Sequence, residues 1–307
     1  MRITRGRSIE VRPLARGVVT LPPGLPIDPY RQGLYTGREL YDTGRYADSV
    51  DARAHAWALE PPEHDDTLAR ALHDHAIDEA LGTWIEGRHL VGVMGGHTVA
   101  RGDAAYTDAA RFGHAVGGRL TVATGGGPGA MEAANLGAWL SGRPAADLDD
   151  ALAGLARVPS YRPSVDAWAG AGFAVLERFP DGADSLGIPT WHYGHEPPNV
   201  FPTAIAKYFR NATREAILLA ICDAGIVFLP GTGGTVQEVF QDACENYYAD
   251  ESSVAPMVLV GAAYWTETVP AWPLLEALAR GRAMEEHVHL VDSIEEAAAV
   301  VGVTDRP

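Results

Sequence analysis

Cysteine is almost missing: Cys222 and Cys244 are the only two in 307 residues. Both fall in stretches with helical spacing, so no disulfide framework is expected and a reducing compartment fits. Basic residues are also scarce, 24 Lys and Arg against 40 Asp and Glu, a formal charge of −16. That balance opposes binding to nucleic acid or an anionic membrane surface, where affinity comes from neutralised phosphates. No apolar run approaches the ~18 residues of a membrane span, and the opening Met1-Arg-Ile-Thr-Arg-Gly-Arg7 leads into no apolar signal segment. The expectation is a cytoplasmic protein whose partner is a small molecule, neither nucleic acid nor membrane.

Several chemical signatures are absent too. There is no G-x-x-x-x-G-K-[ST] loop for a triphosphate and no G-x-S-x-G elbow for a nucleophilic serine. Gly125-Gly-Gly-Pro-Gly-Ala130 fits G-x-G-x-x-A in form, but the acidic strand end that a dinucleotide site needs is missing. Asp147, Asp149 and Asp150 stand at about that distance, in a helical stretch. No nicotinamide, flavin or other cofactor is therefore expected. His192-x-x-His195-Glu196 puts two imidazoles and a carboxylate close together, yet on a proline-bounded loop with no third nitrogen or sulfur ligand. It is read as a loop bordering the ligand pocket, and no metal is assigned.

What is present is a 47% hydrophobic chain, enough for a substantial core. Residues 1 to about 62 carry many Pro, Gly and Tyr and short alternating pieces such as Ser8-Ile-Glu-Val-Arg12. They read as turns and short strands packed on the main body. A helix follows from Asp65 to Ile85, so that residues 1–87 form an N-terminal extension and 88–307 one undivided domain. Within that domain, strand, glycine turn and helix succeed one another. His89–Met94 leads through Gly95-Gly96-His97 to a helix at Ala104–Val116, and Leu120–Ala123 leads through Thr124–Ala130 to a helix at Met131–Leu140. Helical spacing then marks 147–157, 164–178, a long stretch Phe201–Cys222, 235–248, 274–282 and 294–301. Strands are expected at 225–229, 256–260 and 287–291, with another within 187–191. Five or six strands alternating with helices make an α/β, doubly wound, Rossmann-like fold with a mostly parallel sheet and helices on both faces.

The chemistry centres on Leu229-Pro-Gly-Thr-Gly-Gly-Thr-Val-Gln-Glu238, which joins a buried strand to a helix through glycine. Free N–H groups and the positive end of the helix dipole favour an anion there. Gly231, Thr232, Gly233, Gly234 and Thr235 are the candidate phosphate cradle, with Gly126, Gly127 and Gly129 lining the opposite wall. Glu238 stands one turn into the helix, beside any anion held there, so it is a candidate for chemistry; alternatively it is a capping-box partner of Thr235.

These residues resemble a known family. Pro230-Gly-Thr-Gly-Gly-Thr-Val-Gln-Glu238 is similar to the P-G-G-x-G-T-x-x-E signature of the LOG ("lonely guy") nucleoside 5′-monophosphate phosphoribohydrolases. Gly125-Gly-Gly-Pro-Gly-Ala-Met131 is similar to that family's G-G-G-x-x-G-x-M turn. The resemblance covers roughly residues 88–295; the first 87 residues look like an extension found in the family's larger members, and the two motifs together resemble the central domain of the larger pyrimidine/purine nucleotide nucleosidases. It implies hydrolysis of an N-glycosidic bond to free base and ribose 5-phosphate, without a metal, in a homodimer or higher homo-oligomer. It also implies a catalytic pair, Glu238 matching directly and Arg214 across a one-residue gap, with Arg210 in reserve. Glu215 follows where Lys is usual, and Thr232 stands in place of a glycine. The base and ribose pocket is expected among Gly96, His97, Met131, Glu132, Asn135, His195 and Asn199. Related molybdenum-cofactor carriers share the fold without the hydrolysis, so a non-catalytic nucleotide or cofactor carrier is the alternative.

Overall fold

Most strands of this protein carry apolar side chains on both sides, because helices cover both faces of the sheet. In the computed structural model, which describes residues 21, 24–192 and 196–302, seven strands pair in parallel throughout. They are β1 (Leu90–Met94), β2 (Thr121–Thr124), β3 (Ser185–Gly187), β4 (Ala204–Ile205), β5 (Ile226–Phe228), β6 (Met257–Val260) and β7 (Val288–Val291). Their order is β4-β3-β2-β1-β5-β6-β7. The chain winds outward from β1 in one direction and from β5 in the other. The doubly wound α/β architecture expected from the alternation is thus present.

The period of two along the strands sorts residues between the faces. Leu90, Met94, Ile226, Phe228, Met257 and Leu259 pack on one side. There they meet helices α3 (His64–Trp84), α8 (Asn211–Ala220), α9 (Gly233–Tyr248) and α10 (Trp272–Ala279). Val91, Val93, Val122, Val227, Val258 and Val260 pack on the other. That side is covered by α4 (Ala104–Val116), α5 (Ala130–Trp139), α6 (Ala145–Leu155), α7 (Val165–Arg178) and α11 (Ile294–Gly302). Among the described residues no helix is long and apolar enough to cross a membrane.

Two stretches depart from the sequence reading. The helix expected over Phe201–Cys222 begins only at Asn211; ahead of it lies β4, an edge strand of two residues. Pro202 supplies no N–H, and the Asp74 carboxylate of α3 accepts the N–H groups of Phe209 and Arg210, both at 2.9 Å. A cap from another element fixes where α8 starts. The region before residue 62 holds not only turns but also helices α1 (Gly37–Leu40) and α2 (Val50–Leu59). Thr36 with Glu39 closes a capping box on α1, and Ser49 accepts from Ala52 N–H at 3.2 Å to cap α2. The strand expected at Ser8–Arg12 lies outside the described residues.

Tyr35, Leu40, Ala54, Ile77 and Leu81 belong to the same core as the strands, and Tyr35 exchanges backbone hydrogen bonds with Ile205 of β4 at 2.9 and 2.8 Å. Lys207, the only lysine of the chain, is fully buried with its ammonium on Asp51 of α2. Asp51 also accepts from Trp191 Nε1 at 2.8 Å. Burial lowers the Lys207 pKa while Asp51 opposes the shift. The residues before 87 thereby hold both β4 and the start of α8, and α8 carries Arg214.

Candidate active site

The strand order reverses between β1 and β5. In open parallel sheets the loops leaving the carboxyl ends of two such strands diverge, one to each face, and a crevice opens between them. Gly95–His97 leaves β1, Gly125–Gly129 leaves β2, and Leu229–Thr232 leaves β5. Backbone bonds stitch the three turns together: Leu229 N–H to Met94 O at 2.8 Å, Gly96 N–H to Pro230 O at 3.3 Å, and Ala130 N–H to Gly96 O at 3.1 Å. Between them lies a cavity of about 300 Å³, at the small end of the ~300–1,000 Å³ usual for small-molecule sites.

One wall is the start of α9. Its N-cap is Thr232, whose side chain makes no capping bond, and the first backbone bond of the helix runs from Val236 N–H to Thr232 O at 2.9 Å. The N–H groups of Gly233, Gly234 and Thr235 therefore precede the helical ladder, as the first donors of any helix do. Tyr264 steadies this turn by donating to Gly231 O at 2.8 Å. Thr232, Gly234, Thr235 and Glu238 line the cavity. With Thr232 at the cap, Glu238 falls in the second turn, so the capping-box alternative does not hold.

Glu238 faces Arg214 instead, Oε1 to Nη1 at 3.6 Å, with side chains 15% and 10% exposed. Arg214 Nε donates to Ile188 O at 2.7 Å, and Nη2 donates to Gly125 O at 3.4 Å. One guanidinium thus ties together the segment after β3, the turn after β2 and the carboxylate on α9. Burial pushes the Glu238 pKa up to about 7; Arg214 pulls it down and Glu215 pushes it further up, but desolvation is the largest cause. Arg210 lies exposed at the N-cap of α8, away from the cavity.

Gly125 and Gly129 show why the turn after β2 needs glycine. A β-carbon on Gly125 would sit 2.2 Å from Arg214 Nη2. Gly129 has φ +75°, and a β-carbon there would sit 2.4 Å from Gly96 O. Gly129→Ala is expected to cost at least about 2 kcal/mol from the left-handed backbone plus the clash. A chemical-denaturation midpoint read together with activity checks it.

Of the expected pocket residues, Gly96, His97, Gly127 and Met131 line the cavity. Three others do not serve as base readers. Glu132 is 1% exposed and ion-paired with Arg101, whose Nε reaches Oε1 at 3.1 Å. Asn135 and Asn199 are fully buried beneath the turn. Asn135 Oδ1 accepts from Thr124 Oγ1 at 2.7 Å and from Asn199 Nδ2 at 3.1 Å; Asn199 also donates to Gly126 O and Gly127 O, at 2.9 and 3.1 Å. Their amides are consumed in shaping the turn. His195 lies outside the described residues. Among the described residues no group of three or more His, Cys, Asp or Glu could hold a metal.

The cavity wall also includes Pro189, Thr190, Glu215 and Gln237, which the sequence did not place there, and Glu196, from the loop expected to border the pocket. Gln237 Nε2 and Asn211 Nδ2 donate to the two oxygens of Glu215, at 2.8 and 2.7 Å. Pro189 and Thr190 follow the carboxyl end of β3, and that position was the available signal. Glu196 stood in the motif considered for metal.

No protein-family model matches the chain, and no curated protein matches it in sequence. Some solved structures are similar. A molybdenum cofactor binding protein from Rippkaea orientalis gives a TM-score of 0.44 at 15% identity, over 70% of this chain and 96% of that one. The molybdenum cofactor carrier protein MCP from Chlamydomonas reinhardtii gives 0.42 at 17% identity, over the same shares. A second structure of the Chlamydomonas carrier gives 0.41, again at 17% identity over 70% and 96%. The doubly wound fold is read from the seven parallel strands themselves.

Proposed function

We propose that the cavity binds a nucleoside 5′-monophosphate and hydrolyses its N-glycosidic bond, releasing free base and ribose 5-phosphate. The observation that carries this reading is the buried Arg214–Glu238 pair at the wall of a cavity that is also bounded by the start of α9. The 5′-phosphate sits at the Gly231–Thr235 turn, on N–H groups at the positive end of the helix. Its binding energy holds the ribose for reaction. As the C1′–N bond lengthens, positive charge grows on the sugar. Ionised Glu238 stabilises it and takes a proton from the attacking water, while Arg214 keeps the carboxylate aimed.

Base catalysis by a carboxyl whose pKa is about 7 predicts a pH dependence. The ionised form is the active one, so kcat/KM falls roughly tenfold per unit below that value. A pH–rate profile on the free enzyme checks it. Chromatography of the products from a panel of nucleoside 5′-monophosphates tests the reaction itself: equal amounts of base and ribose 5-phosphate are expected from at least one of them. The homo-oligomer implied by the family resemblance belongs to the same reading and is checked by sedimentation.

A second reading is a carrier that binds a nucleotide or a phosphate-bearing cofactor without cleaving it. Arg214 is already engaged by Ile188 O, Gly125 O and Glu238, which suits a brace as well as a catalyst. The three similar structures are named for binding or carrying the molybdenum cofactor. Recovery of an intact ligand after prolonged incubation favours this reading; release of base excludes it.

A further inference from the structure

The reading above leaves one pair in the cavity without a task. His97 follows the Gly95-Gly96 turn, and Glu196 comes from the loop ahead of β4; Nε2 and Oε1 stand 3.7 Å apart, and both residues line the cavity that Arg214 and Glu238 share. The backbone beside His97 is fixed from two sides, since Gly96 donates to Pro230 O and accepts from Ala130 N–H. The side chains themselves remain open to ligand and solvent, 49% exposed for His97 and 34% for Glu196. A hydrolysis of this type needs two proton-handling groups. Water must lose a proton as it attacks C1′, and the base must gain one as it departs on the other side. Where a carboxylate takes the first role in bond cleavage at a sugar carbon, a second, separate group supplies the leaving-group proton.

Building on the proposed hydrolysis, we infer that His97 is a catalytic residue, the general acid that protonates the departing base, and that Glu196 positions its imidazole. The C1′–N bond breaks with its electron pair passing to the base nitrogen, which takes the proton from His97 Nδ1, the ring nitrogen that does not face Glu196. The water oxygen bonds to C1′, and its proton passes to Glu238. One proton has left His97 and one has arrived at Glu238, and solvent restores both. The substrate class is thereby narrowed to nucleotides whose base leaves only with a proton, the unactivated purines and pyrimidines.

The test uses two substrates, the best nucleotide of the panel and 4-nitrophenyl ribofuranoside 5-phosphate, whose nitrophenolate departs without a proton. For His97→Gln, kcat on the nucleotide is expected to fall about 100-fold or more, and on the nitrophenyl substrate less than about threefold. Retained nitrophenol release also shows that the variant is folded. Glu196→Gln is expected to give the same asymmetry with a smaller loss, a pattern that a merely structural role does not produce. Equal losses on both substrates, or no loss on the nucleotide, overturn the inference while hydrolysis stands. A wild-type protein that cleaves neither substrate overturns hydrolysis and this inference with it.

Discussion

Glu238→Gln is expected to lower kcat for base release by about 10²–10⁴-fold and at the same time to stabilise the fold at neutral pH. The two effects share one cause. Burial raises the Glu238 pKa to about 7 from the ordinary 4.5. A carboxyl raised in the folded state binds its proton more tightly folded than unfolded. Its contribution is therefore fully present below about pH 4.5 and is lost as pH rises to about 7. That rise in pKa corresponds to ~3 kcal/mol. Gln keeps the shape and has nothing to ionise. Thermal melts across pH 4.5–8 are expected to show the wild type falling behind the variant up to about pH 7, then running parallel, by several degrees. Reduced activity with unchanged relative stability would mean that Glu238 is not strained by burial.

Arg214→Gln is the second large effect, with the opposite sign in stability. The guanidinium bonds Ile188 O and Gly125 O and faces Glu238, so its loss leaves two buried carbonyls and a carboxylate without their cation. Removing one partner of a buried pair costs about 3–5 kcal/mol, less here because Glu238 can take up a proton. Activity is expected to fall by about 10²-fold or more, since the cradle and the carboxylate lose their common brace. Whatever activity remains has its acid limb displaced above pH 7, because Arg214 is the group that lowers the Glu238 pKa. Arg214→Lys keeps the charge without the planar fork and is expected to recover little. A double-mutant cycle with Glu238→Gln separates the pair from the carbonyl contacts.

Most of the longer helices were legible in the sequence, α4 at Ala104–Val116 to the residue, while the ten-residue α2 was not. The glycine turns were legible for a chemical reason: strand, glycine and helix in succession imply a backbone that opens toward a ligand. The parts that stayed hidden are set by contacts between distant residues. Asp74 caps α8 from some 135 residues away, so no local pattern marks residue 211 as the helix start. Strand β4 has two residues, too few for a period, and is held by Tyr35. Asn135 and Asn199 look like ligand readers in sequence because both carry free amides there. In the fold the Asn199 amide donates to Asn135 Oδ1 and Gly127 O, and the Asn135 amide donates to Leu186 O, so the two become the scaffold of the turn. The Arg214–Glu238 contact came from the family resemblance, and the structure adds its distance, its burial and the raised carboxyl.

The proposed hydrolysis requires that this cavity cleaves what it binds. The most direct measurement is single-turnover incubation of excess protein with the best-bound nucleoside 5′-monophosphate, wild type beside Glu238→Gln, followed by quantitation of base and ribose 5-phosphate. Equal amounts of both products are expected from the wild type, with intact nucleotide recovered from the variant. Intact nucleotide recovered from the wild type, or equal release by both proteins, would contradict it.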